Sequence, residues 1–105
     1  MKSIEVFEKI VAAHPHIERK GKTVPYTSAN GYMFCFVNKA GELGIRLPKE
    51  AGKSFVEQYQ TPPFMSHGAK MREYVLIPES LYDDIGYLSE LIQQGYKHVM
   101  SLKPK

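Results

Sequence analysis

The sequence contains one cysteine, Cys35, in 105 residues. No internal disulfide can form, so the fold depends on packing and hydrogen bonding alone. No apolar run approaches the length of a membrane helix, and no charged-then-apolar leader opens the chain. A cytoplasmic bacterial or archaeal protein that does not enter the membrane is therefore expected. A glycine-rich phosphate loop is also missing. Gly21-Lys22-Thr23 has the end of one without the glycine and spacing that precede it. Ser28, Ser54 and Ser66 have no nucleophile-elbow or triad context. His14-Pro15-His16 has metal-like spacing, but a metal site takes three or four ligands and no cysteine or acidic cluster is near. Two exposed histidines beside a helix-ending proline is the expectation. No metal, no cofactor and no enzyme activity are expected. Internal repeats and low-complexity segments are absent as well.

What is present is the composition of one globular domain spanning residues 1–105: 43% hydrophobic, 24% charged, net charge +3. A domain of this size buries a modest fraction of its surface, so its core is only just sufficient. The positive excess is scattered. Its densest patch runs from His16 to Lys22 and holds Arg19, Lys20 and Lys22. A thinner one holds Lys103 and Lys105. Five such residues would support weak, salt-sensitive nucleic-acid binding.

Ser3 is a candidate helix cap, followed by apolar Ile4, Phe7, Ile10 and Val11 at helical spacing, and Pro15 ends that helix near Ala13. Residues 22–29 read as a strand, pushed to a sheet edge by Pro25. Asn30-Gly31 is a strong tight-turn signal, because a primed turn needs positive φ at both central residues. Residues 32–37 and 42–47 follow as strands joined by a turn at 38–41. Residues 48–59 read as a helix with Phe55, Val56 and Tyr59 inward, 60–70 as a loop, and 71–77 as a strand. Ser80 and Asp83 resemble a capping box opening a last helical segment with Leu88, Leu91, Ile92, Tyr96 and Val99 on its apolar stripe. Gly86 and Gly95 weaken it, with a break expected near Gly86. The order α-β-β-β-α-β-α predicts a two-layer α+β fold, an antiparallel sheet with helices packed on it.

The stretch Tyr32-Met33-Phe34-Cys35-Phe36-Val37 has no polar alternate. A two-residue turn at 30–31 and a four-residue turn at 38–41 would place Tyr32, Phe34, Phe36, Leu43, Ile45 and Leu47 on one face, under the helices. Val24, Tyr26, Met33, Cys35 and Val37 then share the other face. That second face needs a cover, either the C-terminal segment or a second chain. A two-fold homodimer, through the face that carries these five residues or through the sheet edge, is the expectation. A one-residue error in either loop would exchange the faces.

Cys35, between aromatic neighbours in mid-strand, reads as a buried, inert thiol. The loop from Thr61 to Gly68 is the irregular stretch on which function could sit. Phe64 and Met65 either pin it to the core or anchor a partner. His67 is either a turn residue or, with Tyr74, part of a pocket.

The strand motifs Tyr32 to Val37, Leu43-Gly44-Ile45-Arg46-Leu47 and Met71-Arg72-Glu73-Tyr74-Val75-Leu76-Ile77-Pro78 resemble the TfoX N-terminal-domain family. Residues 20–28 and 101–105 look like those of its small stand-alone members. The stretch from Tyr96 to Lys105 is also similar to the MmcQ/YjbR-like proteins. Cys35-Phe36 stands where TfoX has a glycine pair. The resemblance implies an α+β domain with no catalytic residues to carry over. It implies a link to competence regulation for the first family and to DNA binding for the second. The first expectation for function is thus a non-enzymatic, regulatory interaction domain with an unidentified protein partner. A weak nucleic-acid binder is the second, and a small-ligand protein or enzyme with a pocket near His67 the third.

Overall fold

A computed structural model describes residues 2–105. The first helix, α1 (Ser3–Ala12), is capped one residue earlier than expected. The Lys2 N–H donates to the Glu5 carboxylate at 3.3 Å. Its buried stripe is Val6, Phe7, Ile10 and Val11, while Ile4 lies outside. Strands β1 (Tyr26–Ala29), β2 (Tyr32–Val37) and β3 (Leu43–Arg46) follow. Pro25 directly precedes β1, which is an edge strand. Asn30 and Gly31 have φ of 58° and 86°, so the two-residue turn forms as expected.

Helix α2 (Lys49–Tyr59) buries Phe55 and leaves Val56 exposed. It ends on a left-handed Gln60. The region expected to be a loop contains β4 (Pro63–Ser66), joined through His67-Gly68 to β5 (Ala69–Leu76). Both turn residues have positive φ, 53° and 76°, as at Asn30-Gly31. A single 3-10 turn at Glu79–Leu81 leads to α3 (Ile85–Met100). Asp84 caps α3, accepting from the Tyr87 N–H at 3.2 Å, in place of the Ser80 cap. The expected break near Gly86 is thus the start of this helix.

The five strands form one antiparallel sheet in the order β1-β2-β3-β5-β4. The fold is α+β, with α1, α2 and α3 packed on the sheet, and differs from the expected order by the added strand β4. Leu88, Leu91, Ile92 and Val99 of α3 fill the centre of the core with Phe7, Ile10 and Phe55.

The face assignment of β2 needs correcting. Ser28 pairs with Met33, but Thr27 pairs with Cys35, so Phe34 is an extra residue in the ladder. Such a bulge puts consecutive residues on one side and reverses the alternation beyond it. Val37 pairs with Leu43, not Phe36, so the following turn has five residues instead of four. Tyr32, Phe34, Cys35 and Val37 accordingly join the core under the helices, with Leu43, Ile45 and Leu47. Phe36 goes to the back, where Tyr26 pairs with it. Cys35 and Val37 are buried, so they are not the surface residues expected of an interface.

Candidate functional site

The back of the sheet is covered from within the chain. Gly44 pairs with Phe36 and Leu76, and a Cβ built on it would lie 2.4 Å from ring carbons of Phe64. The glycine lets the Phe64 ring settle on the sheet backbone. The Phe36 and Phe64 rings meet edge to face at 5.1 Å. Tyr74 stacks on Phe64 at 5.8 Å and meets Phe36 at 5.3 Å. Phe36 and Phe64 are fully buried. Burial also pushes the Tyr74 hydroxyl pKa up, the Cys35 thiol adds to the rise, and Arg46 opposes it.

Two irregularities build this aromatic floor. One is the Phe34 bulge. The other is Glu73, a non-glycine residue with φ of 67°. Strict alternation would put Met71 and Tyr74 on opposite faces. The kink at Glu73 lets both serve the back of the sheet. The Glu73 carboxylate is bound by the Arg46 guanidinium, Nε at 3.1 Å, and lies 3.7 Å from His98 Nε2.

Above the floor lies a cleft of about 300 Å³. Val24 and Tyr26 form one wall and Met33 and Phe36 the base. Asn38 and Lys39 close one end, and Ser66, His67 and Met71 form the far wall. Asn38 fixes the geometry. Its amide donates to the Met65 carbonyl at 2.8 Å and to the Glu42 carboxylate at 2.9 Å, and its Oδ1 accepts from the Glu42 N–H at 2.9 Å. The β2–β3 turn is thereby tied to edge strand β4. Met33 is 38% and Met65 41% exposed. A larger, shallower groove of about 930 Å³ adjoins it across Val24, Asn38 and Lys39, with charges of both signs from Lys2, Glu5 and Glu79.

The cleft unites residues from two separate expectations. Val24, Tyr26 and Met33 were expected at an interface and His67 in a pocket, and all four line it. Tyr74 does not line it with His67. It lies in the floor and borders a different groove of about 350 Å³ beside α2, with Val56 and Gly52. Phe64 pins the hairpin to the back of the sheet over Gly44, and Met65 stays outside. Cys35 is wholly buried on the opposite face. Burial drives its thiol pKa up, so it stays neutral and cannot act as a nucleophile. The part played by Asn38 and Met71 went unread. A turn-forming Asn signalled the first, and nothing in the spacing signalled the second, because the Glu73 kink decides its face.

The basic candidates divide. Arg19 is engaged by Glu8 at 3.0 Å. Lys20 reaches Ser28 Oγ at 3.3 Å. The Lys105 N–H donates to the Asn30 carbonyl at 3.3 Å, and its ammonium lies 5.0 Å from the Tyr32 ring centroid. The Lys103 carbonyl accepts from the Tyr32 hydroxyl at 2.7 Å. Lys103 and Lys105 thus lie at the Asn30-Gly31 turn against Tyr32, on the helix side of the sheet, while Lys20 reaches Ser28 on the back. Lys22 is exposed in the loop before β1.

His14 and His16 bind α3, through the Ser89 carbonyl at 2.9 Å and the Gln93 side chain at 2.8 Å. Among the described residues no three His, Cys, Asp or Glu side chains are grouped to hold a metal, and no helix is long and apolar enough to cross a membrane. No protein-family model and no curated protein matches the chain.

Proposed function

We propose that this chain is a non-catalytic interaction domain that acts by protein association, in the regulatory manner the TfoX-like resemblance implies. The observation that carries the reading is the methionine-rimmed cleft on the back of the sheet. Its floor is rigid, being built of rings already packed on one another. Its exposed lining is Met33 and His67, with Tyr26 and Met71 half-buried. Thioethers are flexible and polarizable, and such surfaces adapt to apolar side chains from a partner. A rigid floor under an adaptable rim keeps the ordering cost of association low.

A two-fold homodimer through the same face is the competing form of this reading. The reason for expecting one was an uncovered back face, and Phe64 now covers its middle. A two-fold axis through the cleft would also bring Lys39 of one copy toward the Lys20 end of the other, and like charges oppose that. A partner of different sequence is the form we favour.

The test is photo-cross-linking in native cells with a photoreactive residue at position 33, beside a control at the exposed Val56. Defined protein adducts at 33 and none at 56 support the reading. Equal adducts at both positions, or none at 33, would sink it.

Nucleic-acid binding is the second reading, favoured by the placing of Lys103 and Lys105 at one turn. Labelled duplex DNA followed by fluorescence anisotropy decides it. Sub-micromolar binding that survives physiological salt would place it first, since so few phosphate contacts give weak, salt-sensitive binding.

A further inference from the structure

We infer that the cleft receives an acidic peptide segment carrying a single large apolar anchor, and this rests on the protein-association reading above. The charges around the cleft point to the acid. Lys39 lines one end. At the other, Lys20 reaches Ser28, which pairs directly with Met33. Among the described residues neither lysine has a carboxylate within 4.0 Å, and no carboxylate lines the cleft. Glu42, in the same turn as Lys39, is held by the amide and carbonyl of Asn38. Two unneutralised cations thus bracket an apolar slot. The complement is an apolar side chain with carboxylates on either side.

The volume sets the anchor. A cleft of about 300 Å³ is at the lower end of ligand pockets, roughly 300 to 1,000 Å³. It has room for one large apolar side chain such as Leu, Met or Phe and part of its neighbour, not for an extended hydrophobic face.

The same surface argues against a nucleic-acid strand as the occupant. Base stacking needs an exposed ring face. Phe36 and Phe64 are fully buried, each against the other. The exposed lining is mixed: the Met33 and Met71 thioethers stand beside the half-buried Tyr26 ring and the His67 imidazole, with no continuous ring platform.

A strand-addition mode is also disfavoured, because the chain guards both edges. Lys20 exchanges backbone hydrogen bonds with Tyr26 on β1, at 2.8 and 3.0 Å, and the Asn38 amide takes the Met65 carbonyl on β4. Affinity must therefore come from the anchor and the two lysines rather than from backbone pairing.

The experiment is selection of random displayed peptides on the full chain, followed by anisotropy of the enriched peptides with wild type, Met33→Glu and the Lys20→Glu/Lys39→Glu double variant. All three positions are exposed, and thermal melts confirm that each variant folds. The expected result is enrichment of Asp or Glu flanking one Leu, Met or Phe. Affinity should fall about tenfold or more in Met33→Glu, the loss typical of a central anchor contact. It should also fall in the lysine double variant and with rising salt. Enriched peptides that are neutral or basic yet still depend on Met33 would overturn the acidic partner while leaving the association reading standing. No peptide that depends on Met33 would overturn both. A labelled single-stranded oligonucleotide that displaces the peptide and binds more tightly would replace the inference with nucleic acid. A concentration-dependent dimer abolished by Met33→Glu would replace it with a second copy of the chain.

Discussion

The ring of Phe64 lies directly on Gly44, close enough that a single added methyl group would collide with it at 2.4 Å. Edge strand β4 is in this way fastened across the sheet to β3. Gly44→Ala is expected to destabilise the protein by about 1–3 kcal/mol through overpacking. Phe64→Ala should cost about 3–5 kcal/mol, as for other buried aromatics. The double variant Gly44→Ala/Phe64→Leu should cost less than its two single changes together, because the smaller side chain makes room for the methyl. Urea unfolding of wild type, Gly44→Ala, Phe64→Leu and their double variant checks this, and strict additivity would mean the two residues do not share one contact.

Cys35 and two tyrosines predict the response to alkali. Burial raises the pKa of Cys35 and of Tyr74, and Tyr87 is pushed up to about 12 by burial and by its hydrogen bond with Tyr59. All three are acids whose neutral form the fold favours. Their contribution is fully present below the ordinary values of 9.0 for the thiol and 10.0 for the tyrosines. It is lost as pH rises through the folded values. Stability should therefore be flat in these groups through neutral pH and fall above about pH 9. A thiol reagent should label Cys35 only at the rate of unfolding. Rapid labelling of the native protein would place the thiol at the surface instead.

Long-range periodicity was the most legible part of the sequence. The core stripes of α1 and α3 follow from spacing alone, since burial of a helix face needs no knowledge of its partner. Asn30-Gly31 was legible because its chemistry permits few conformations. His67-Gly68 forms the same kind of turn, but His is a weaker signal than Asn and β4 opens on Pro63, directly after Pro62. β4 was therefore hidden. The faces of β2 were illegible for a different reason. Bulges arise from pairing between strands, and nothing in Phe34-Cys35 announces one. The cleft inherits that difficulty, since the Phe34 bulge sends Phe36 into its base and the Glu73 kink sends Met71 into its wall.

Gly95 tests tertiary packing against helix propensity. It lies in the interior of α3, where Ala would favour the helix by about 1 kcal/mol. A Cβ there would lie 2.5 Å from the Arg46 carbonyl oxygen of β3. That oxygen belongs to sheet backbone and cannot rotate away, so α3 would have to lift from the core into which it places Leu88, Ile92 and Val99. Gly95→Ala should lower the melting temperature, while Gly86→Ala, which meets no atom within 4 Å, should leave it unchanged or raise it. A gain in stability at both positions would show that α3 sits farther from β3.

The register of β2 separates Met33 from Val37, which plain alternation would put on one face. The bulge at Phe34 divides them, leaving Met33 on the back and 38% exposed and Val37 buried beneath α1 and α3 with Leu43. A carboxylate at position 33 stays in water beside Ser28 and the Lys20 ammonium. Met33→Glu should therefore change stability by no more than about 0.5 kcal/mol, the range of ordinary surface substitutions. A carboxylate at position 37 replaces a side chain only 6% exposed that packs in the apolar core and pairs with Leu43. Several kcal/mol would be lost there, even if the new carboxyl takes up a proton to avoid burial as a charge. Since the whole domain is held by about 5–15 kcal/mol, Val37→Glu should be unfolded or close to it at room temperature. Circular dichroism melts of the two variants decide. Equal tolerance, or Met33→Glu the more damaging, would mean that β2 alternates without a bulge and that the cleft belongs to the other set of residues.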